Sequence, residues 1–219
     1  FLMAADAGTA DAFAALESEA MNALTHTPQP PAVFDVPGAY EDHAGHKEAL
    51  KVLSEDAWAA YALAIAAQLT DAPDSEAYAA KALQVLDAWA SVNEATAGHD
   101  GDLCMAYAGV GLLYAAELLR DDSGWPEEQR ERFEKWVRSV FLRSCETIIV
   151  RNNNWADWGL LGCVASHYFL EERGALEAYG LRLREMIDEK IEPGGEMPAE
   201  TKRGRGGIWY TYFALAPMT

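Results

Sequence analysis

Basic residues are scarce in this chain: 17 Lys and Arg stand against 35 Asp and Glu, a formal net charge of -18. Phosphate binding needs a basic face, so nucleic acid is not an expected partner. Cysteine is almost missing. Cys104, Cys145 and Cys163 are an odd number at wide spacing with no Cys-x-x-Cys pair, which is not a disulfide framework. Each lies in apolar helical text, where a buried free thiol is the expectation, with a single disulfide left open. No apolar run reaches the roughly 18 to 20 residues of a membrane span, so no membrane partner is expected. No segment reads as a signal peptide, and a chain that opens on Phe1 is expected to be a mature or trimmed form. Few segments alternate like strands.

What the chain does have is helix. Half of its 219 residues are apolar, enough for one domain with a full core, and the net charge otherwise reads as solubility. A first helix is expected over about 9–25, followed by an extended connection forced by Pro28, Pro30 and Pro31. Residues 40–46 read as a loop. Ser54 reads as an N-cap with Glu55 and Asp56 in the first turn, and Trp58, Tyr61, Ile65 and Leu69 then recur at helical spacing. A helix after Pro73 carries Tyr78, Val85, Leu86 and Trp89. A polar loop holding His99 precedes an apolar helix from about Asp102 to Arg120. Pro126 suits the first turn of the next helix, which Phe133, Trp136, Val137, Val140 and Phe141 line. Further helices are expected after Asn154, after a turn at Gly174, and from about Gly207.

Short connections between helices of this length give antiparallel pairs. Such pairs close into a ring of inner and outer helices, so the expected fold is all-α, an (α/α) toroid spanning residues 1–219 as a single domain. The helices are too few for a full ring. The chain is therefore expected to be an incomplete toroid or a fragment lacking its C-terminal helices.

Two stretches of the last quarter carry candidate chemistry. Asn152, Asn153 and Asn154 precede a helix; one can serve as the cap, leaving carboxamides able to donate to an anion. Trp155 and Trp158 follow, as platforms for sugar rings or as core, with core the stronger reading for Trp158. Further on, Lys202, Arg203 and Arg205 form a basic cluster, and Tyr210 stands seven residues beyond Arg203 across a glycine-rich link. Arginine holds a carboxylate bidentately. Cations nearby favour the phenolate of a tyrosine, which can then act as base and afterwards as acid. A solvated basic patch beside a buried Tyr210 is the competing reading. Screening beyond about 10 Å lets such a local cluster bind an anion despite the acidic chain.

These residues resemble the alginate lyase superfamily. Its Asn-Asn-His-x-x-Trp motif is matched by Asn153-Asn154-Trp155-Ala156-Asp157-Trp158, and its Gly-x-Leu-Pro-x-Glu-Leu-x-Arg segment by 195–203. The resemblance is carried by the last third of the chain. It implies Asn154 and Arg203 as neutralisers of a uronate carboxylate and Tyr210 as the proton-transfer group. Asn153, Trp155, Trp158, Lys202, Arg205, His99 and Tyr212 would bind substrate. Two departures stand out. The family histidine is missing, its place taken by Trp155 or, in a shifted alignment, Asn154; and Thr211 and Tyr212 stand where the family has His-Asn.

The implied function is a polysaccharide lyase that cleaves a β-1,4-linked polyuronate by β-elimination and leaves an unsaturated uronate end. Mannuronate and glucuronate carry H5 and O4 on one side of the ring, where one tyrosine serves both. Loss of the histidine therefore favours glucuronan or polymannuronate over polyguluronate. His99, or His43 or His46, stands as a candidate to fill the vacancy, although each also reads as surface or structural; His167 reads as core. No metal set stands out and no cofactor is expected, because Asn and Arg neutralise the charge. The partner is an acidic polysaccharide, which places the protein outside the cytoplasm. Two other readings are open. One is a glycoside hydrolase using two of Asp100, Asp102, Asp157 and Glu200, which must lie about 5 Å or about 6.5 to 9.5 Å apart. The other is a sugar-binding protein without catalysis.

Overall fold

The structure is a computed structural model that describes residues 7–219; Phe1 and the rest of residues 1–6 lie outside it. The described residues form helical hairpins: α1 (Ala7–Ala23), α2 (His43–Leu69), α3 (Asp74–Val92), α4 (Gly101–Leu118), α5 (Glu127–Trp136), α6 (Leu142–Ile148), α7 (Asn154–Phe169), α8 (Arg173–Lys190), α9 (Pro198–Thr201) and α10 (Gly207–Leu215). A π-helical turn, Val137–Phe141, joins α5 to α6. Helices α2, α4, α7 and α10 pack side by side in that order, and α1, α3, α5–α6 and α8 back them. This is the expected arc of inner and outer helices of an all-α toroid. No helix among the described residues is long and apolar enough to cross a membrane.

The layers meet on a core that includes Leu53 and Leu63 of α2, Leu86 and Trp89 of α3, and Leu112 and Leu113 of α4. Phe133 and Phe141 close it from α5 and the π turn. Burying a side chain of this size contributes about 1.5–3 kcal/mol. Helices α6 and α7 approach closely because Gly159 and Gly162 face Cys145. A Cβ on Gly159 would lie 2.8 Å from Cys145 O, and one on Gly162 2.2 Å from Cys145 Sγ. All three cysteines are buried and free. Burial pushes the Cys104 and Cys163 thiols up to about 12, so neither is a ready nucleophile.

Several boundaries differ from those read in the sequence. Ser54 caps nothing: α2 runs unbroken from His43, capped by Asp42, whose carboxylate accepts from Gly45 N at 2.9 Å. Residues 43–46, expected as loop, are its first turn. Asp56, expected in a first turn, lies in mid-helix and is buried. It accepts from Trp89 Nε1 (2.8 Å) and Gln29 N (3.2 Å), and its Oδ1 lies 2.5 Å from His26 Nε2. A buried carboxylate needs such partners; these pin the proline-rich connection to the core. The turn expected at Gly174 falls at Glu171, the non-glycine residue with φ of 58°, and Gly174 is already helical.

Two loops meet in a short parallel pair, β1 (Val33–Asp35) with β2 (Ala95–Ala97), in register Val33 with Ala95. Three-residue strands carry no legible alternation. The pair fixes the segment before α2 against the segment before α4. It thereby sets Tyr40, His46, His99 and Asp100 at one end of the inner helices.

Candidate active site

At that end a cavity of about 300 Å³ is lined from three directions. The loop ahead of α7 brings Arg151, Asn153, Asn154 and Trp155. The turn after α9 and the start of α10 bring Arg203 and Tyr210. The segments around β1 and β2 bring Tyr40, His46, His99 and Asp100.

Asn153 is the N-cap of α7, its Oδ1 accepting from Trp155 N at 3.2 Å. That capping role frees Asn154 for another task. Asn154 is buried, and Glu200 holds it twice: Oε1 accepts from Asn154 N at 2.8 Å and Oε2 from Asn154 Nδ2 at 3.0 Å. Arg203 Nε lies 3.1 Å from the same Oε2, an ion-pair contact too poorly angled for a hydrogen bond. The guanidinium lies over the Tyr210 ring, Cζ 4.2 Å from its centroid. One buried carboxylate thus orients both predicted neutralisers, and one of them rests on the predicted proton carrier.

The Tyr210 hydroxyl meets that of Tyr40. Its pKa departs from the sequence expectation of a favoured phenolate. Burial pushes it up to about 12, the Tyr40 hydroxyl adds to the rise, and Arg203 opposes it with a smaller effect. In the free protein Tyr210 is therefore protonated at neutral pH.

Trp155 is one aromatic wall, and Tyr107, Trp209 and Phe213 also line the cavity. Arg151 Cζ lies 4.7 Å from the Trp155 ring centroid, and His99 meets that ring edge-on at 5.7 Å. His99 Nδ1 is 2.6 Å from Asp100 Oδ1; His46 Nδ1 is 3.0 Å from Pro37 O and 3.2 Å from Asp100 Oδ2. Asp100 Oδ2 also accepts from Ala39 N at 2.9 Å. His46, which reads as surface or structural, belongs to the cavity wall. His167 lies elsewhere, paired with Glu172 at 2.6 Å and stacked on Tyr179.

Four other predicted substrate contacts do not line this cavity. Trp158 packs inward against Tyr107 and Phe213, the core reading. Lys202 lines a neighbouring pocket, Arg205 is exposed on a 3-10 turn, and Tyr212 is 71% exposed. Conversely, the sequence reading missed Tyr40 as part of the site, and it named Asp100 only as a possible hydrolase carboxylate. Tyr40 carries no local signal; the strand pair sets its segment beside that of Asp100.

The carboxylates needed for hydrolysis are spent. Lys190 Nζ, 2.5 Å from Asp157 Oδ1, holds that residue in the core, Glu200 is committed to Asn154, and Asp102 accepts from Thr96 at 2.5 Å in a separate pocket. Only Asp100 lines the cavity, between two histidines. That separate pocket, of about 350 Å³, contains no tyrosine or histidine. Among the described residues no three His, Cys, Asp or Glu side chains gather as a metal site would require.

A helical toroid whose end cavity unites an amide, a guanidinium and a tyrosine has the make-up of a uronan-cleaving lyase. The sequence profile of a family described as alginate lyase matches residues 5–219. The chain belongs to that family and is a polysaccharide lyase. Its fold is similar to the crystal structure of an alginate lyase from Bacteroides ovatus, with a TM-score of 0.72 and 17% identity over 95% of this chain and 68% of that one. No curated protein matches the chain.

Proposed function

We propose that this lyase acts on a β-1,4-linked polyuronate, glucuronan or polymannuronate, by syn elimination. The observation that carries the reading is the convergence of Asn154, Arg203 and Tyr210 on one cavity, with no histidine beside Asn154 in the chain. A uronate carboxylate placed against Asn154 and Arg203 has its charge offset, which acidifies the neighbouring C5–H and stabilises the carbanion-like transition state. Tyr210, as phenolate, takes H5. The C5 electron pair forms the C4–C5 double bond as the C4–O4 bond breaks, and Tyr210 returns the proton to O4. Trp155 gives the sugar face a platform. Proton donor and acceptor are one residue, which suits substrates with H5 and O4 on one side.

A polymeric substrate places the protein outside the cytoplasm, secreted or periplasmic. Asn153, His99 and Arg151 line the space around the bound sugar. The test is Tyr210→Phe: double-bond formation should fall by about a hundredfold or more while oligouronate binding is kept. Equal turnover by the variant would refute Tyr210 as the proton carrier.

A further inference from the structure

We propose that the pocket next to the catalytic cavity, on the far side of Arg151, is a second sugar subsite that takes the carboxylate of a neighbouring uronate of the same chain. The inference rests on the polyuronate reading above.

The pocket has a volume of about 430 Å³ and is walled by the loop ahead of α7, the last turns of α8 and the start of α9. That loop also delivers Asn153 and Asn154 to the catalytic cavity, so the two spaces open at the same end of the helices. Arg151 lines both. Stacked on Trp155, its guanidinium has its face occupied and its N–H edge open, the geometry that accepts a carboxylate in plane.

Charge is inverted here. Acidic residues outnumber basic ones 35 to 17 over the chain, yet the pocket is lined by Arg151, Arg182, Lys190 and Lys202 against Glu189 alone among carboxylates. Two of the four cations are engaged. Lys190 serves Asp157 and Asn153 O, and Arg182 makes paired contacts with Glu189 at 3.1 Å. Arg151 and Lys202 form no ion pair among the described residues. Two unmatched cations facing one concave space on an acidic protein hold an anion at short range, where screening is weak. A polyuronate carries one carboxylate per ring, so a chain seated in the catalytic cavity presents a second carboxylate to this wall. Arg182, held by Glu185 and Glu189, is already matched and does not compete for it.

The test is a chain-length series of oligouronates with wild type, Lys202→Ala and Lys202→Arg, melting temperatures being checked for each. Lys202→Ala should raise KM for long chains about three- to tenfold, a loss of one charge-assisted contact. The kcat should stay within twofold, the KM difference should shrink toward none at the shortest cleavable oligomer, and Lys202→Arg should restore most of the loss. High salt should narrow the gap. A loss equal at every length, or no change on the polymer, overturns the subsite. If the wild type formed no double bonds at all, the lyase reading would fail separately; calorimetric binding of the same series would still decide whether Lys202 contributes only to longer chains.

Discussion

The side-chain amide of Asn154 and the guanidinium of Arg203 rest on one oxygen, Glu200 Oε2, at 3.0 and 3.1 Å. Glu200 is buried and, unlike Asn154 and Arg203, does not line the cavity, so it acts by positioning both groups. Glu200→Ala leaves the Asn154 N–H donors without a partner, at a cost of about 1–3 kcal/mol in stability. It should also lower kcat/KM by letting both donors stray from the carboxylate. Glu200→Gln, which keeps an acceptor, should recover part of each loss. Thermal melts and steady-state rates check both. Unchanged rates in a folded Glu200→Ala protein would remove the positioning role.

Tyr210 is held near 12, by burial first and the Tyr40 hydroxyl second. A base that must be deprotonated is present below that value in a fraction that grows tenfold per pH unit, so kcat/KM should rise with pH through the neutral range. Tyr40→Phe removes one of the upward influences and should shift the rising limb to lower pH. A flat profile between neutral and mildly alkaline pH would argue against a rate set by phenolate.

Lys190 and Asp157 form a buried pair, with Nζ 2.5 Å from Oδ1 and a further contact to Asn153 O at 3.0 Å. Burial raises the Asp157 pKa and Lys190 opposes it. Lys190→Met should cost about 3–5 kcal/mol at neutral pH, because an uncompensated carboxylate stays behind. A folded-state value above the ordinary 3.8 means that stability is gained as pH falls through the folded value toward 3.8. The deficit of the variant should therefore shrink in acid. Denaturant melts across pH measure this, and a pH-independent deficit would contradict it.

Gly159 has Cys145 O 2.8 Å from where a Cβ would stand, backbone that cannot swing aside. Gly159→Ala should destabilise by about 1–3 kcal/mol despite a better helix propensity. Gly174, with nothing within 4 Å, should tolerate alanine. Equal melting temperatures for the two variants would contradict the close approach of α6 and α7.

The helices were legible because apolar spacing in Tyr78–Trp89 and Phe133–Phe141 was dense enough to set their faces. Ser54 misled because a cap signal acts only where the preceding turn is not helical, and Asp42 with Gly45 starts the helix earlier. The polar half of the site, Asn154, Arg203 and Tyr210, was readable as a pattern along the chain. Its other wall was legible only in part: His99 and His46 stood out as histidines, whereas Tyr40 did not. Tyr40 is 170 residues from Tyr210. Its segment is held beside Asp100 by two three-residue strands and by Ala39 N, while Tyr210 comes in on α10 packed against α7. Nor could charge counting show that burial outweighs Arg203 at Tyr210. Lys202 and Arg205 are close neighbours of Arg203 in sequence, but the 3-10 turn at Gly204–Gly206 points the cluster several ways.

The most direct measurement is ultraviolet absorbance over time with glucuronan, polymannuronate and polyguluronate offered separately. A rise with glucuronan or polymannuronate, little with polyguluronate and none with Tyr210→Phe, is the result expected of a syn-eliminating lyase built on Asn154, Arg203 and Tyr210. A preference for polyguluronate, or a rise that survives Tyr210→Phe, would contradict it.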